Sequence, residues 1–327
     1  MTAQPTLRER LAKVPTPMGG LALGIASLGW AWESLMPAHG LFQLAGAGVA
    51  AVLLLLLLAK FMHHPRLLWV DLQNPVAGSV MPTIAMALMV VAKAISMFSL
   101  PVAEAVWLFA IGLHLVFLAT FAWHRFRAFR LHHMVPSWFV PPVGIIVAAV
   151  TFPGGPWLWL AQLICWFGII CYLVMLPVML YRLVFSAEVP DAAKPTIAIL
   201  AAPASLSLAG YLTVFATPSP LMVGLLAGIA VLMTAIIYLF FLRLLRLPFS
   251  PGYSAFTFPM VIGATALYKL SALIGTWGFA ARYAEQVHAL ATFELVVAAV
   301  VIAYVSLHYL YNYLVRVRQT PADTRLA

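Results

Sequence analysis

The side chains with the plainest chemistry are two lysines set inside long apolar stretches. Lys93 follows Pro82 by 11 residues, and Lys269 follows Pro259 by 10, so the two occupy equivalent places in two repeats. At 1.5 Å rise per residue each ammonium stands roughly 15 Å beyond its proline. Two ammonium groups at one level of a mouth concentrate anions. The competing reading is that each reaches a polar interface along its aliphatic stem. Other chemistries are poorly supplied. No carboxylate or histidine lies inside the proline-bearing stretches, and Glu33 only closes the outer end of the first. A coupled cation site normally uses intramembrane Asp or Glu, or unwound carbonyls. Cys165 and Cys171, six apart in one apolar run, lie about 240° apart around a helix and predict neither a metal pair nor a disulfide.

The elements that position the lysines carry a period. Pro17, Pro82, Pro142, Pro203 and Pro259 recur at gaps of 65, 60, 61 and 56 residues, each within an apolar stretch. A proline removes one backbone donor and bends a helix. Membranes tolerate this where a cavity or neighbouring helices meet the freed groups. Five bent helices at regular spacing predict a ring around a path.

Composition demands a membrane. The 327 residues are 64% apolar and 8% charged, against roughly 25% charged in soluble chains. Apolar runs and their breaks predict ten helices over 17–36, 40–62, 75–97, 101–123, 138–153, 156–182, 193–216, 220–246, 251–275 and 284–315. The first reads as a retained helix, not a cleaved leader. With the N-terminus inside, fifteen of the eighteen Lys and Arg fall inside, among them Lys60 and Arg182; only Lys93, Lys269 and Arg282 fall outside. The positive-inside rule therefore predicts a cell inner (plasma) membrane protein with both termini cytoplasmic. The net charge of +9 is a topology signal and calls for no nucleic acid. The basic segment from His124 to His133 also suits anionic membrane lipid.

Small residues separate the helices into two classes. The odd spans hold Gly19, Gly20 and Gly24; Ala77, Gly78 and Ser79; Ala201, Ala202, Ala204 and Ser205, whereas the even spans are rich in Leu, Val and Ile. Small residues allow close backbone approach, and large aliphatics suit lipid. The expected fold is an all-α integral membrane protein: five helical hairpins, odd helices inside, a five-helix pore with pseudo-fivefold symmetry along the membrane normal. A cytoplasmic segment 1–16 precedes the channel domain 17–315, and a short tail 316–327 follows it.

The run Ser250-Pro251-Gly252-Tyr253-Ser254-Ala255-Phe256-Thr257-Phe258-Pro259-Met260 resembles the ninth-helix motif of the tellurite-resistance/dicarboxylate transporter family. That family includes bacterial TehA proteins, fungal malate permeases and sulfite pumps, and plant slow anion channels. Thr257-Phe258-Pro259-Met260 is most similar to the plant form. The first helix resembles TehA through Pro15-Thr16, Gly20, Leu23-Gly24 and Trp30-Ala31-Trp32, but reads Pro17-Met18-Gly19 where TehA proteins read Gly-Tyr-Phe. The resemblance implies ten helices, a pore in each subunit of a homotrimer, and Phe258 as an aromatic plug with Gly20 facing it. A ring beside a kink suits that role, since hydrophobic constrictions gate by dewetting; otherwise Phe258 is one of 20 phenylalanines packing between helices.

These observations predict an anion channel passing small monovalent anions such as chloride and nitrate, with no cofactor and no metal. The alternative is a secondary carrier or efflux protein for C4-dicarboxylates, sulfite or tellurite. A dicarboxylate site calls for paired cations at mid-membrane, and no arginine stands there in an odd helix. An enzyme is not expected: no P-loop, Gly-x-Ser-x-Gly or His-Glu-x-x-His pattern occurs. His114, His288 and His308 follow no repeat that would face two of them across a haem. Glu294, about ten residues into the tenth helix, is a buried carboxylate with Lys269, Arg282 or a neighbouring subunit as expected partners, or else protonated.

Overall fold

The computed structural model describes residues 6–316, and among these the regular elements are helices without a strand. Met1–Pro5 of the expected N-terminal segment, and 317–327 of the expected tail with Arg318 and Arg325, lie outside the described residues. Ten apolar spans run back and forth: α1 (Met18–Leu35), α2 (Leu41–His63), α3 (Ala77–Ile95), α4 (Leu100–Arg127), α5 (Pro136–Val150), α6 (Leu158–Phe185), α7 (Asp191–Val214), α8 (Pro220–Leu244), α9 (Pro251–Ile274) and α10 (Ala284–Leu310). All but α1 and α5 are long and apolar enough to cross a membrane by those two criteria. This is a multi-pass membrane protein. A short amphipathic helix, Pro65–Gln73, joins α2 to α3 where only a loop was expected.

The odd spans form a closed ring: α1 packs on α3, α3 on α5, α5 on α7, α7 on α9, and α9 back on α1. Each even span packs on its own hairpin partner and on the next odd span, with α10 completing the circle against α1. Burial follows the same division. The most apolar windows of α3, α7 and α9 are 67%, 83% and 72% buried, against 28–39% for α2, α4, α6, α8 and α10. Every residue of α5 is buried except Pro142. Small residues make this closeness possible. A Cβ on Gly29 of α1 would run into the Phe42 carbonyl of α2, and one on Gly24 would sit 2.5 Å from Thr257 of α9.

The prolines act differently from simple kinks. In α7 a 3-10 stretch, Asp191–Ala201, gives way to α-helix at Ala202-Pro203; in α9, Pro251–Phe256 gives way at Phe258-Pro259. In α3 the α-helix restarts at Pro82 after the short turn Ala77–Val80, and Pro17 is the N-cap of α1. Proline suits the first turn of a helix, where its missing N–H would be unpaired in any case. Each of these four prolines therefore opens an α-helical segment instead of bending a continuous one. Pro142 alone lies within α5, which alternates 3-10 and α turns throughout.

Such broken backbone inside a membrane needs partners for its carbonyls. The outer helix α4 supplies two to α5: Trp107 Nε1 donates to the Ala148 carbonyl at 3.0 Å, and the His114 ring nitrogen pairs with the Pro141 carbonyl at 2.8 Å. Two of the basic residues read as topology signals are likewise built into the protein. Lys60, 5% exposed, donates to Thr16 Oγ1 at 2.8 Å and lies 3.5 Å from Asp71 Oδ2. Arg182, 1% exposed, donates to the Ala187 and His132 carbonyls at 2.9 and 3.0 Å.

Candidate functional site

A cavity of about 370 Å³ lies on the axis of the odd-helix ring. All five odd spans line it, and exposed Asn74 and Ala192 with half-buried Ser250 form its mouth on the face where α1 begins. Pro17, Gly20, Pro203, Phe258 and Pro259 border the cavity; Pro82 and Pro142 do not, although their neighbours Thr83 and Val143 do. The wall is apolar and carries no charged side chain. Its hydroxyls are partly committed, since Thr83 and Thr196 donate to the Val80 and Ala193 carbonyls at 2.6 Å.

The α-helical segments of α1, α3, α7 and α9 all begin around this cavity and run away from it. Their positive dipole ends therefore converge on a chamber without a formal charge. Such a chamber is electrically favourable to an anion yet offers it few donors.

Phe258 stands where two cavities meet. Its side chain, 7% exposed, borders the large cavity and also a second one of about 10 Å³ on the other side, lined by Ser27, Trp30, Val90, Val147, Val150, Thr151, Ile262 and Thr265. That space is at the limit for a single water. The ring thus separates a chamber from a tight neck. Its backbone packs on α1: the Thr257 hydroxyl shares its one hydrogen between the Ser254 carbonyl at 2.7 Å and the Gly20 carbonyl of α1 at 3.1 Å, and bare Gly24 admits Thr257. Gly20 shares the cavity with Phe258, but a Cβ there would point at Ser254, so Gly24 is the glycine that packs on the Thr257–Phe258 segment.

Beyond the neck stand the lysines. Lys93 is three residues past neck-lining Val90, and Lys269 four past neck-lining Thr265, each about one turn further along the same helix face. Both are half-buried, and the two ammonium groups are near enough to repel each other. Lys93 Nζ donates to the Phe152 carbonyl at 3.1 Å, beside neck-lining Thr151. Among the described residues neither lysine forms a salt bridge.

Sequence reasoning missed the neck itself. Ser27, Thr151 and Thr265 are lone hydroxyl residues some 10, 9 and 6 positions past the repeat prolines, a signal too sparse to stand out among apolar neighbours. Glu294 pairs with neither Lys269 nor Arg282; its carboxyl group packs against Gly263 of α9. No group of three or more His, Cys, Asp or Glu suited to a metal occurs among the described residues.

Residues 15–311 match the family described as voltage-dependent anion channel (SLAC1). Two similar proteins come from Methanocaldococcus jannaschii, both named uncharacterized transporters. One is 27% identical over 249 residues, covering 68% of this chain and 73% of the relative. The other is 29% identical over 231 residues, covering 61% of this chain and 66% of the relative.

Proposed function

The chain belongs to the voltage-dependent anion channel family and is an anion transport protein, and from that premise we propose that it is a passive channel for small monovalent anions gated by Phe258. The observation that carries this reading is the position of the Phe258 ring, which borders the chamber on one side and the water-sized neck on the other. Swinging one ring aside would join the two spaces, whereas a carrier would need to close a second barrier behind its substrate. Chloride or nitrate enters the chamber under the pull of the converging helix ends. It passes Phe258 with part of its hydration removed, then meets Lys93 and Lys269. Weakly hydrated anions pass best, because the walls have few donors to replace water.

Both termini are assigned to the cytoplasm of a bacterial-type inner membrane, in a homotrimer with a pore in each subunit. The chamber then faces the cytoplasm and the lysines face outward. A potential negative inside contributes ~2.3 kcal/mol per charge per 100 mV toward anion exit. The channel domain is residues 17–315.

The test is anion flux in proteoliposomes, native protein against Phe258→Ala, with chloride, nitrate and malate in parallel. The channel reading expects the alanine form to pass chloride and nitrate about tenfold faster or more, a barrier lowered by ~1.4 kcal/mol or more, with little saturation. Unchanged chloride flux in Phe258→Ala, together with saturable and proton-dependent malate uptake by the native protein, would overturn it in favour of a dicarboxylate carrier.

A further inference from the structure

Behind the plug, on the side of α9 away from the pore, lies a carboxyl group that the transport path does not use. Glu294 of α10 is 4% exposed and sits roughly 15 Å into its helix, near mid-membrane. Its Oε2 has no hydrogen-bond partner. It occupies the space that a Cβ on Gly263 would fill, so the carboxyl group lies directly on the bare backbone of α9. On the α8 side stand the Thr234 hydroxyl and the Tyr238 hydroxyl; the latter is also buried without a partner.

Among the described residues no cation answers this group. Lys269 on α9 belongs to the outer mouth, Tyr268 donates to Thr292 and meets His288 edge to face, and Tyr253 and His308 form an aromatic cluster toward the other end of α10. On α1 the carboxylate of Glu33 accepts from the Ala38, Gly40 and Phe42 backbone. Among the described residues Glu294 forms no ion pair. An ionised carboxylate so placed would be strongly disfavoured, while a neutral acid can donate its proton and accept from a hydroxyl.

We propose that Glu294 is a proton-binding site coupled to the pore helix: with its proton it fits the closed packing of α9, and losing the proton drives α9 away and shifts Phe258. The lever is short. Gly263 lies five residues past Phe258, about 7.5 Å along the helix, and its neighbour Ile262 lines the neck. A charged carboxylate must draw water or a polar partner into the α8–α9–α10 seam, and the α9 backbone at Gly263, in direct contact with the carboxyl group, moves to admit it. By linkage, a conformation that favours the ionised group becomes more populated as pH rises.

The inference rests on the gating role of Phe258 only for its flux readout, so two readouts are needed. The first is infrared difference spectroscopy of the reconstituted protein across a pH titration, native against Glu294→Gln. A protonated-carboxyl carbonyl band that titrates in the native protein and is missing in Glu294→Gln is expected. Identical spectra would overturn the site itself. The second is chloride flux against pH. The native protein should pass several-fold more at alkaline than at acidic pH, and Glu294→Gln should stay low throughout. The double variant Phe258→Ala with Glu294→Gln should pass chloride as fast as Phe258→Ala, which establishes that the glutamine protein is folded. A glutamine variant that keeps the native pH profile would overturn the coupling. Failure of Phe258→Ala alone to raise flux would instead count against the plug, leaving the infrared result to judge the proton site.

Discussion

The two sides of Phe258 are built to opposite rules. On one side, about 370 Å³ of uncharged apolar chamber opens at a polar mouth, framed by 3-10 segments and the starts of four α-helical runs. On the other, the α-helical parts of α1, α3 and α9 and the last turn of α5 pack so closely that about 10 Å³ remains, with two lysines just beyond. The difference teaches where a barrier can be adjusted. Broken backbone holds the helices apart and leaves volume, whereas regular helices with small residues close on each other. An obstruction works best at the boundary, and Phe258 stands there.

Three perturbations break or sharpen this contrast. The largest effect is expected from Phe258→Ala, which merges the two spaces and raises chloride flux about tenfold or more. Next, Thr257→Val removes the hydroxyl that the Ser254 carbonyl and the Gly20 carbonyl of α1 share, loosening the Phe258 segment from α1. A hydrogen bond worth ~1 kcal/mol translates to roughly fivefold more basal leak, measured in the same vesicles without an applied potential. The smallest effect belongs to the mouth: Lys93→Met with Lys269→Met should lower flux about threefold at low ionic strength and hardly at all at high salt, where screening removes the difference. An equal loss at both salt concentrations would make the lysines structural. The outer helices give an independent check on the broken side. His114→Ala removes a buried hydrogen-bond partner from the Pro141 carbonyl of α5, with an expected loss of ~1–3 kcal/mol in stability, visible as a lower melting temperature in detergent.

Much of the architecture was legible in the chain. Low charge with long apolar runs requires a membrane, and the proline period with small odd spans predicts the closed inner ring that burial bears out. These are patterns of many residues, each contributing to burial, so no single contact decides them. What the prolines do locally was not legible. Whether a proline bends a helix or starts one depends on the preceding residues, and an 11-residue 3-10 run before Pro203 has no composition of its own. Lys60 and Arg182 show the same limit: as sequence they count as interfacial charges, and only folding supplies the Thr16, Asp71, Ala187 and His132 partners that allow burial.

The sequence alone thus determined the class, the hairpin count and the sorting of helices into an inner ring and an outer layer, and it offered Lys93 and Lys269 and, through resemblance, Phe258 as candidate site residues. Tertiary structure alone decided that Phe258 borders two spaces of very different size, that Gly24 supports the Thr257–Phe258 segment, and that Glu294 lies against Gly263 without a cation. The physical reason is the same in each case. Hydrophobic sorting is a sum over a whole span and survives translation into a pattern, whereas a cavity and an unpartnered oxygen depend on distances between segments far apart in the chain.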